Sequence, residues 1–173
     1  MEGLLADELR QLGAANVSEV RAGVGFQGDL STAYRVCLWS RVANRVLLPV
    51  GQFPAADPEQ LYDGVMAIDW QEHLAVDGSL AVDFSTVRSE ITHTQFGSQK
   101  VKDAIVDQLR HETGERPSVD KDCPDLRINV FLFRDQATIN IDLSGDSLHR
   151  RGYRLGGGGA PLKENLAAGI LMR

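Results

Sequence analysis

Leu126-Arg127-Ile128-Asn129-Val130-Phe131-Leu132-Phe133-Arg134-Asp135-Gln136-Ala137-Thr138-Ile139-Asn140-Ile141-Asp142-Leu143 decides the fold class. Leu126, Ile128, Val130 and Leu132 alternate with Arg127, Asn129, Phe131 and Phe133. Ala137, Ile139, Ile141 and Leu143 alternate with Thr138, Asn140 and Asp142. Period-two alternation on both sides of the polar Arg134-Asp135-Gln136 predicts a β-hairpin with one buried face.

Working outward, Gln95–Glu112 carries Val101, Ala104, Ile105, Gln108 and Leu109 at helical spacing. Leu80–Val87 alternates as a strand. Pro54 to Gln60 marks a boundary and a helix start: Asp57 at N-cap, Pro58 in the first turn, Gln60 at the capping-box position. The helix runs on through Leu61, Val65 and Ile68. Upstream, Leu4, Leu5, Leu9 and Leu12 predict a helix over 3–12, Val17–Arg21 and Val24–Gln27 two short strands, and Asp29 the cap of a helix reaching about Arg41. Asn44–Phe53 reads as a strand, and a last helix begins at Pro161. The order is helix, two strands, helix, strand, then helix, strand, helix, two strands. This is an α+β (α/β-like) chain in two lobes, the first resembling a βαββαβ ferredoxin-like unit without its first strand. Both ends read as truncated. A sheet lacking that strand would expose an edge and invite a dimer of the fragment.

The 173 residues are 43% hydrophobic and 24% charged, ordinary for a globular protein. No apolar run approaches the roughly 20 residues of a membrane span, and the N-terminus lacks a signal-peptide pattern. A cytoplasmic protein with no membrane partner is expected. Cys37 and Cys123 have no metal-ligand spacing and read as free thiols. The net charge of −6 is uneven: residues 1–87 carry −7 and residues 88–173 carry +1. Any polyanion contact belongs to the second half.

Several motifs fail on inspection. Gly23-Val24-Gly25-Phe26-Gln27-Gly28 matches G-x-G-x-x-G, but no acidic residue ends the next strand, so it reads as a glycine-rich hairpin. His111-Glu112-Thr113-Gly114-Glu115 lacks the second histidine of H-E-x-x-H. Asp120, Asp122 and Asp125 are interrupted by Cys123 and Pro124 and read as turn caps rather than a calcium loop. His73, His93 and His111 show no triad pattern and read as surface or core side chains. No metal and no catalytic residue is assigned.

Two basic groups are candidates for phosphate contact. Lys100 and Lys102 lie near the start of the long helix. There a cation opposes the helix dipole unless an anion compensates; the alternative is a solvated face. Ser144-Gly145-Asp146-Ser147-Leu148-His149-Arg150-Arg151-Gly152-Tyr153-Arg154 is stronger. His149, Arg150, Arg151 and Arg154 could grip phosphates and Tyr153 stack a base; the alternative is a basic loop paired with the acidic lobe.

Three stretches carry a resemblance. They are Phe96-Gly97-Ser98-Gln99-Lys100-Val101-Lys102-Asp103-Ala104-Ile105-Val106-Asp107, Asp120-Lys121-Asp122-Cys123-Pro124-Asp125-Leu126-Arg127, and Asp142 to Arg154 with its S-G-D-S-L-H-R-R-G-Y-R core. They resemble the THUMP region of bacterial large-subunit ribosomal RNA guanine-N2 methyltransferases of the RlmL/RlmKL type. Gly3–Leu9 is similar to that family's first helix, and Pro161–Ala168 to the first helix of its methyltransferase domain. The resemblance implies a partial ferredoxin-like lobe (1–54), a THUMP domain (55–155), and a glycine linker with the first helix of a methyltransferase domain (156–173). It implies docking of structured ribosomal RNA, with no DNA partner expected. It also implies a parent enzyme that carries methyl from S-adenosylmethionine to a guanine N2. The cofactor glycine motif and the N/D-P-P-[YFW] motif of that chemistry are missing, so no cofactor is expected in this fragment. Competing readings are a protein-interaction domain whose acidic lobe meets a basic partner, and a thiol enzyme using Cys37 or Cys123.

Overall fold

A computed structural model describes residues 1–152, 159 and 161–173. In chain order the elements are α1 (Glu2–Gln11), β1 (Ala15–Val20), β2 (Gly23–Gln27), α2 (Leu30–Trp39) and β3 (Leu47–Pro54). There follow α3 (Pro58–Met66), a 3-10 turn at Trp70–Glu72, β4 (Ser79–Val87), α4 (Thr94–Thr113) and β5 (Ser118–Val119). Last come β6 (Leu126–Phe133), β7 (Gln136–Asp142) and α5 (Glu164–Leu171). The chain is a mixed α+β protein, as the element order predicts. It forms two compact units, Met1–Val46 with Leu143–Arg173, and Leu47–Asp142.

In the first unit β1 and β2 form an antiparallel hairpin, Val20 opposite Gly23. The glycines of 23–28 thus lie in a strand and the turn after it. Asp29 caps α2 by accepting from the Thr32 N–H at 2.7 Å. Leu9, Val36, Ala43, Val46 and Leu148 form the core, with Leu5, Leu12, Val17, Phe26 and Leu143 packed on it.

In the second unit a five-stranded sheet runs β3-β7-β6-β4-β5. β4 pairs parallel with β6, which requires the crossover that α4 supplies. β7 is antiparallel to both β6 and β3. Alternation on β6 buries Leu126, Ile128, Val130 and Leu132 and turns Arg127, Asn129, Phe131 and Phe133 to the other face. α3 packs on β3 and α4 on β4, with Leu61 and Val65 of α3 and Val101, Ile105 and Leu109 of α4 fully buried. Gly97 lets α4 approach: a Cβ there would lie 2.6 Å from the Phe84 ring. The β6–β7 turn has two central residues, Arg134 (φ 50°) and Asp135 (φ 58°), both left-handed as a type I′ turn requires.

Two sequence expectations change. The strand expected over Asn44–Phe53, placed in the first lobe, spans Leu47–Pro54 and hydrogen-bonds to β7 along its length, with a bulge between Pro49 and Gly51. The turn-rich 114–125 stretch contains β5, paired with Ser79 and Leu80. Tyr153, Arg154 and Gly156–158 of the expected linker lie outside the described residues. Among the described residues no helix is long and apolar enough to cross a membrane.

Candidate functional site

The basic segment after β7 is built into the first unit by backbone pairing. The Leu143 N–H donates to Val46 O at 2.9 Å, and the Val46 N–H to Ser144 Oγ at 2.7 Å. The Leu148 N–H donates to Asn44 O at 2.9 Å, and the Leu148 side chain enters the core. Ser147 Oγ donates to Asn44 Oδ1 at 2.6 Å, and His149 Nδ1 sits 2.7 Å from Ser147 Oγ. The Arg150 N–H closes a turn on Ser147 O at 2.9 Å, and Arg150 is exposed.

Arg151 points elsewhere. Its Nη1 donates to Cys37 O and its Nη2 to Ser40 O, each at 2.8 Å. These carbonyls end α2, where orphan acceptors and the negative end of the dipole favour a cation. Glu8 finishes the same corner. The residue is 3% exposed and accepts from Ser40 Oγ at 2.6 Å, the Arg41 N–H at 3.1 Å, Arg41 Nε at 3.0 Å and the Val42 N–H at 3.3 Å. Burial pushes its carboxyl up and is the largest single influence. The Ser40, Arg41 and Val42 hydrogen bonds together outweigh it and hold the carboxyl below the usual glutamate value. A groove of about 810 Å³ lies here, lined by Trp39, Arg41, His149, Arg151 and Asn165 among others.

Lys100 and Lys102 lie in the second unit. Lys100 is the seventh residue of α4, beyond the turn in which the helix dipole is felt, so the dipole cost expected from its position is absent. Its Nζ sits 5.4 Å from the Tyr62 ring centroid, and Tyr62 donates to Asp107 at 2.8 Å. The Asp107 hydrogen bond, first, and partial burial raise the Tyr62 hydroxyl above its usual pKa. Lys102 pairs with Asp103 at 2.6 Å. The structure thus brings His149, Arg150 and Arg151 together in one unit and Lys100 and Lys102 in the other.

Glu8, Ser40 and Asn44 hold this arrangement and were not singled out in the sequence. Glu8 had a signal: it occupies a core position of the 5, 8, 9, 12 apolar stripe of α1. Asp120 Oδ1 accepts from the Asp122 and Cys123 N–H groups, as a turn cap does, whereas Asp125 accepts from the Ser79 N–H at 2.8 Å, a long-range contact rather than a turn cap. His93 also caps a helix: its Nδ1 accepts from the Phe96 N–H at 3.1 Å.

A family model described as THUMP domain matches residues 55–142, and one described as RlmL ferredoxin-like domain matches residues 1–47. The chain belongs to the THUMP-domain family. Over all 173 residues it is 60% identical to a protein from Syntrophotalea carbinolica named ribosomal RNA large subunit methyltransferase K/L, covering 100% of this chain and 24% of that one. The chain therefore spans about a quarter of the length of such curated relatives. Among solved structures it is similar to a predicted N6-adenine-specific DNA methylase from Listeria monocytogenes, with TM-score 0.87, 32% identity, and 99% and 45% of the two chains covered. It is also similar to a putative methyltransferase complexed with SAH, with TM-score 0.86, 34% identity, and 98% and 45% covered. In this THUMP-containing chain the matched residues hold four of the five strands of the second unit's sheet, β3 lying just before them, and the basic segment after Asp142 follows them directly.

Proposed function

We propose that this chain is the RNA-docking part of a large-subunit ribosomal RNA methyltransferase that works in the cytoplasm. The complete enzyme uses S-adenosylmethionine to methylate a guanine at N2, and the chemistry resides outside these 173 residues. The 60% identity over all 173 residues to the matching quarter of a protein named as a ribosomal RNA methyltransferase carries the reading. The structural support is a basic loop whose backbone is tied down through Leu143, Leu148 and the Arg150 N–H and whose Arg151 side chain is anchored on α2, so that exposed Arg150 is presented from a held base.

Within that reading the basic residues divide. Arg150 contacts phosphate directly, with Arg154 and Tyr153 beyond it. Lys100 and Lys102 supply weaker contacts from α4. Arg151 and His149 chiefly position the loop, because both Nη atoms of Arg151 and Nδ1 of His149 are already engaged. The partner is structured ribosomal RNA.

The test is a titration with a ribosomal RNA stem-loop and a DNA duplex of equal length at two salt concentrations. Preference for the stem-loop, a fall with salt, and loss of about 0.7–0.9 from the log–log salt slope in Arg150→Ala support the reading. Equal binding of both nucleic acids, unchanged by Arg150→Ala, refutes it.

A second reading, a protein-interaction domain, is favoured by one observation. Leu30, Tyr34, Leu38 and Trp39 on and beside one stripe of α2 are 59–66% exposed. Self-pairing along the two-stranded β1–β2 sheet is a further proposal. Sedimentation at rising concentration reads it, and a monomer throughout rejects it.

A further inference from the structure

The sheet of the second unit has a face that α3 and α4 do not cover. Across it, the strand register sets Ser85, Phe131, Thr138 and Gln52 in one row. The next row holds Val87, Phe133, Gln136 and Pro54. Phe131 is 41% exposed. The two phenylalanine rings lie parallel, 5° between planes and 6.1 Å between centroids. The Arg134 guanidinium sits over the Phe133 ring, 5.2 Å from its centroid. Burying Phe131 and Phe133 among apolar neighbours would be the ordinary use of two large aromatics. Here their open-face neighbours within the rows are mostly hydroxyl and amide side chains instead.

We propose that this open face is a stacking platform for unpaired RNA bases, with Phe131 taking a base face and the Phe133 ring beside it, covered by Arg134, extending the stack. The inference rests on the RNA-docking reading and extends it from phosphate contact to base contact. Three observations favour bases. Parallel rings side by side match successive bases of a single strand, whose flat faces stack without regard to sequence. Thr138, Gln52 and Gln136 can donate and accept to base edges from the same rows, and Ser85, whose hydroxyl donates to Val130 O at 3.2 Å, can accept. At the end of the platform, Arg134 and its neighbour Arg88 follow the last pair of β6 and β4, where a backbone phosphate would pass. The one carboxylate in the β4 row below, Asp83, is paired with Arg127 at 3.2 Å. Duplex RNA cannot use such a platform, because its base faces are already stacked. The ligand is therefore a single-stranded loop or flank, distinct from the helical stem that a basic loop would grip.

The experiment uses the 173-residue chain and four labelled probes. These are an oligouridylate of about 10 nucleotides, the DNA oligomer of equivalent sequence, a tailless stem-loop, and the stem-loop with an unpaired tail. Phe131→Ala and Phe133→Ala are each expected to weaken oligouridylate binding roughly fivefold to a hundredfold and to leave tailless stem-loop binding unchanged. Phe131→Trp should retain binding, and melting temperatures should stay near wild type because the rings lie outside the core. Photocrosslinking of a thiouridine probe to residues 126–133 is a second measurement that needs no variant. Unchanged oligouridylate binding in both alanine variants, with stem-loop binding intact, overturns the platform and leaves the docking reading standing. Equal loss for stem-loop and single strand also overturns it. If no RNA binds the wild-type chain, the docking reading fails and the platform with it. If the DNA oligomer binds as tightly as the RNA, the assignment to RNA is overturned.

Discussion

Replacing Glu8 with glutamine tests whether one carboxylate holds the first unit's corner together. The side chain keeps its shape but loses its charge, and one acceptor oxygen becomes an NH2 donor. That donor then faces groups that are donors themselves: Ser40 Oγ and the Arg41 and Val42 N–H groups. Ser40 can rotate its hydroxyl; the two backbone N–H groups cannot. A buried donor without a partner costs roughly 1–3 kcal/mol. Arg41 is 59% exposed on its side chain, so its ion pair with Glu8 adds less than about 1 kcal/mol. The expected cost of Glu8→Gln is about 2–4 kcal/mol, confined to the first unit. Urea unfolding followed by amide exchange in α1 and α2 measures it. Amide exchange at Trp70, buried in the second unit, serves as the internal control. The pH dependence has a defined sign. Hydrogen bonding holds the folded carboxyl below its unfolded value. Its contribution is therefore complete above the free-glutamate value of about 4.3 and is lost as pH falls through the folded value. The gap between wild type and Glu8→Gln should be widest near neutrality and should close in acid. A neutral-pH difference under about 0.5 kcal/mol would refute the reasoning.

Other outcomes follow from the same packing. Arg151→Met should destabilise α2's end by about 1–3 kcal/mol, because two carbonyls lose a charged donor; amide exchange at Ser40 reports it, while Arg150→Ala should leave stability unchanged. Gln108 donates to Met66 O and Ile68 O, each at 2.6 Å, and accepts from the Trp70 N–H at 3.0 Å. Gln108→Leu leaves these groups unpaired and should cost about 2–4 kcal/mol, with the Trp70 emission shifting to the red in a thermal melt. Gly97→Ala should lower the second unit's stability by about 1–3 kcal/mol, since the new methyl must displace the Phe84 ring. A stabilised variant in urea unfolding would contradict that contact.

What could be read from the residues was what local chemistry decides. Alternation on 126–143 yields the hairpin and its buried face. Asp29 and Asp57 act as the caps their positions suggest; Asp57 accepts from the Glu59 and Gln60 N–H groups. Pairing partners were harder. The Val and Leu content of 44–53 announces a strand, but only long-range contact decides that it lies against β7. β5 has two residues and carries no periodicity at all. The basic run at 149–151 was legible as charge. Whether a guanidinium there meets solvent or a helix end depends on where α2 stops, a tertiary fact. Glu8 was readable as an anomaly among leucines, and its partners lie more than thirty residues away.

The chain leaves the first unit at Val46 and returns at Leu143, and those two residues are hydrogen-bonded to each other. During synthesis, the second unit is a continuous stretch and can collapse as soon as it emerges. Leu9 and Val36 are made early but wait for Leu148 to complete their core. Their assembly is thus delayed by the full time needed to translate the insert, and a chain ending at Asp142 would leave that core without Leu148. A released chain of that length should show a protected second unit and rapid proteolysis before Val46.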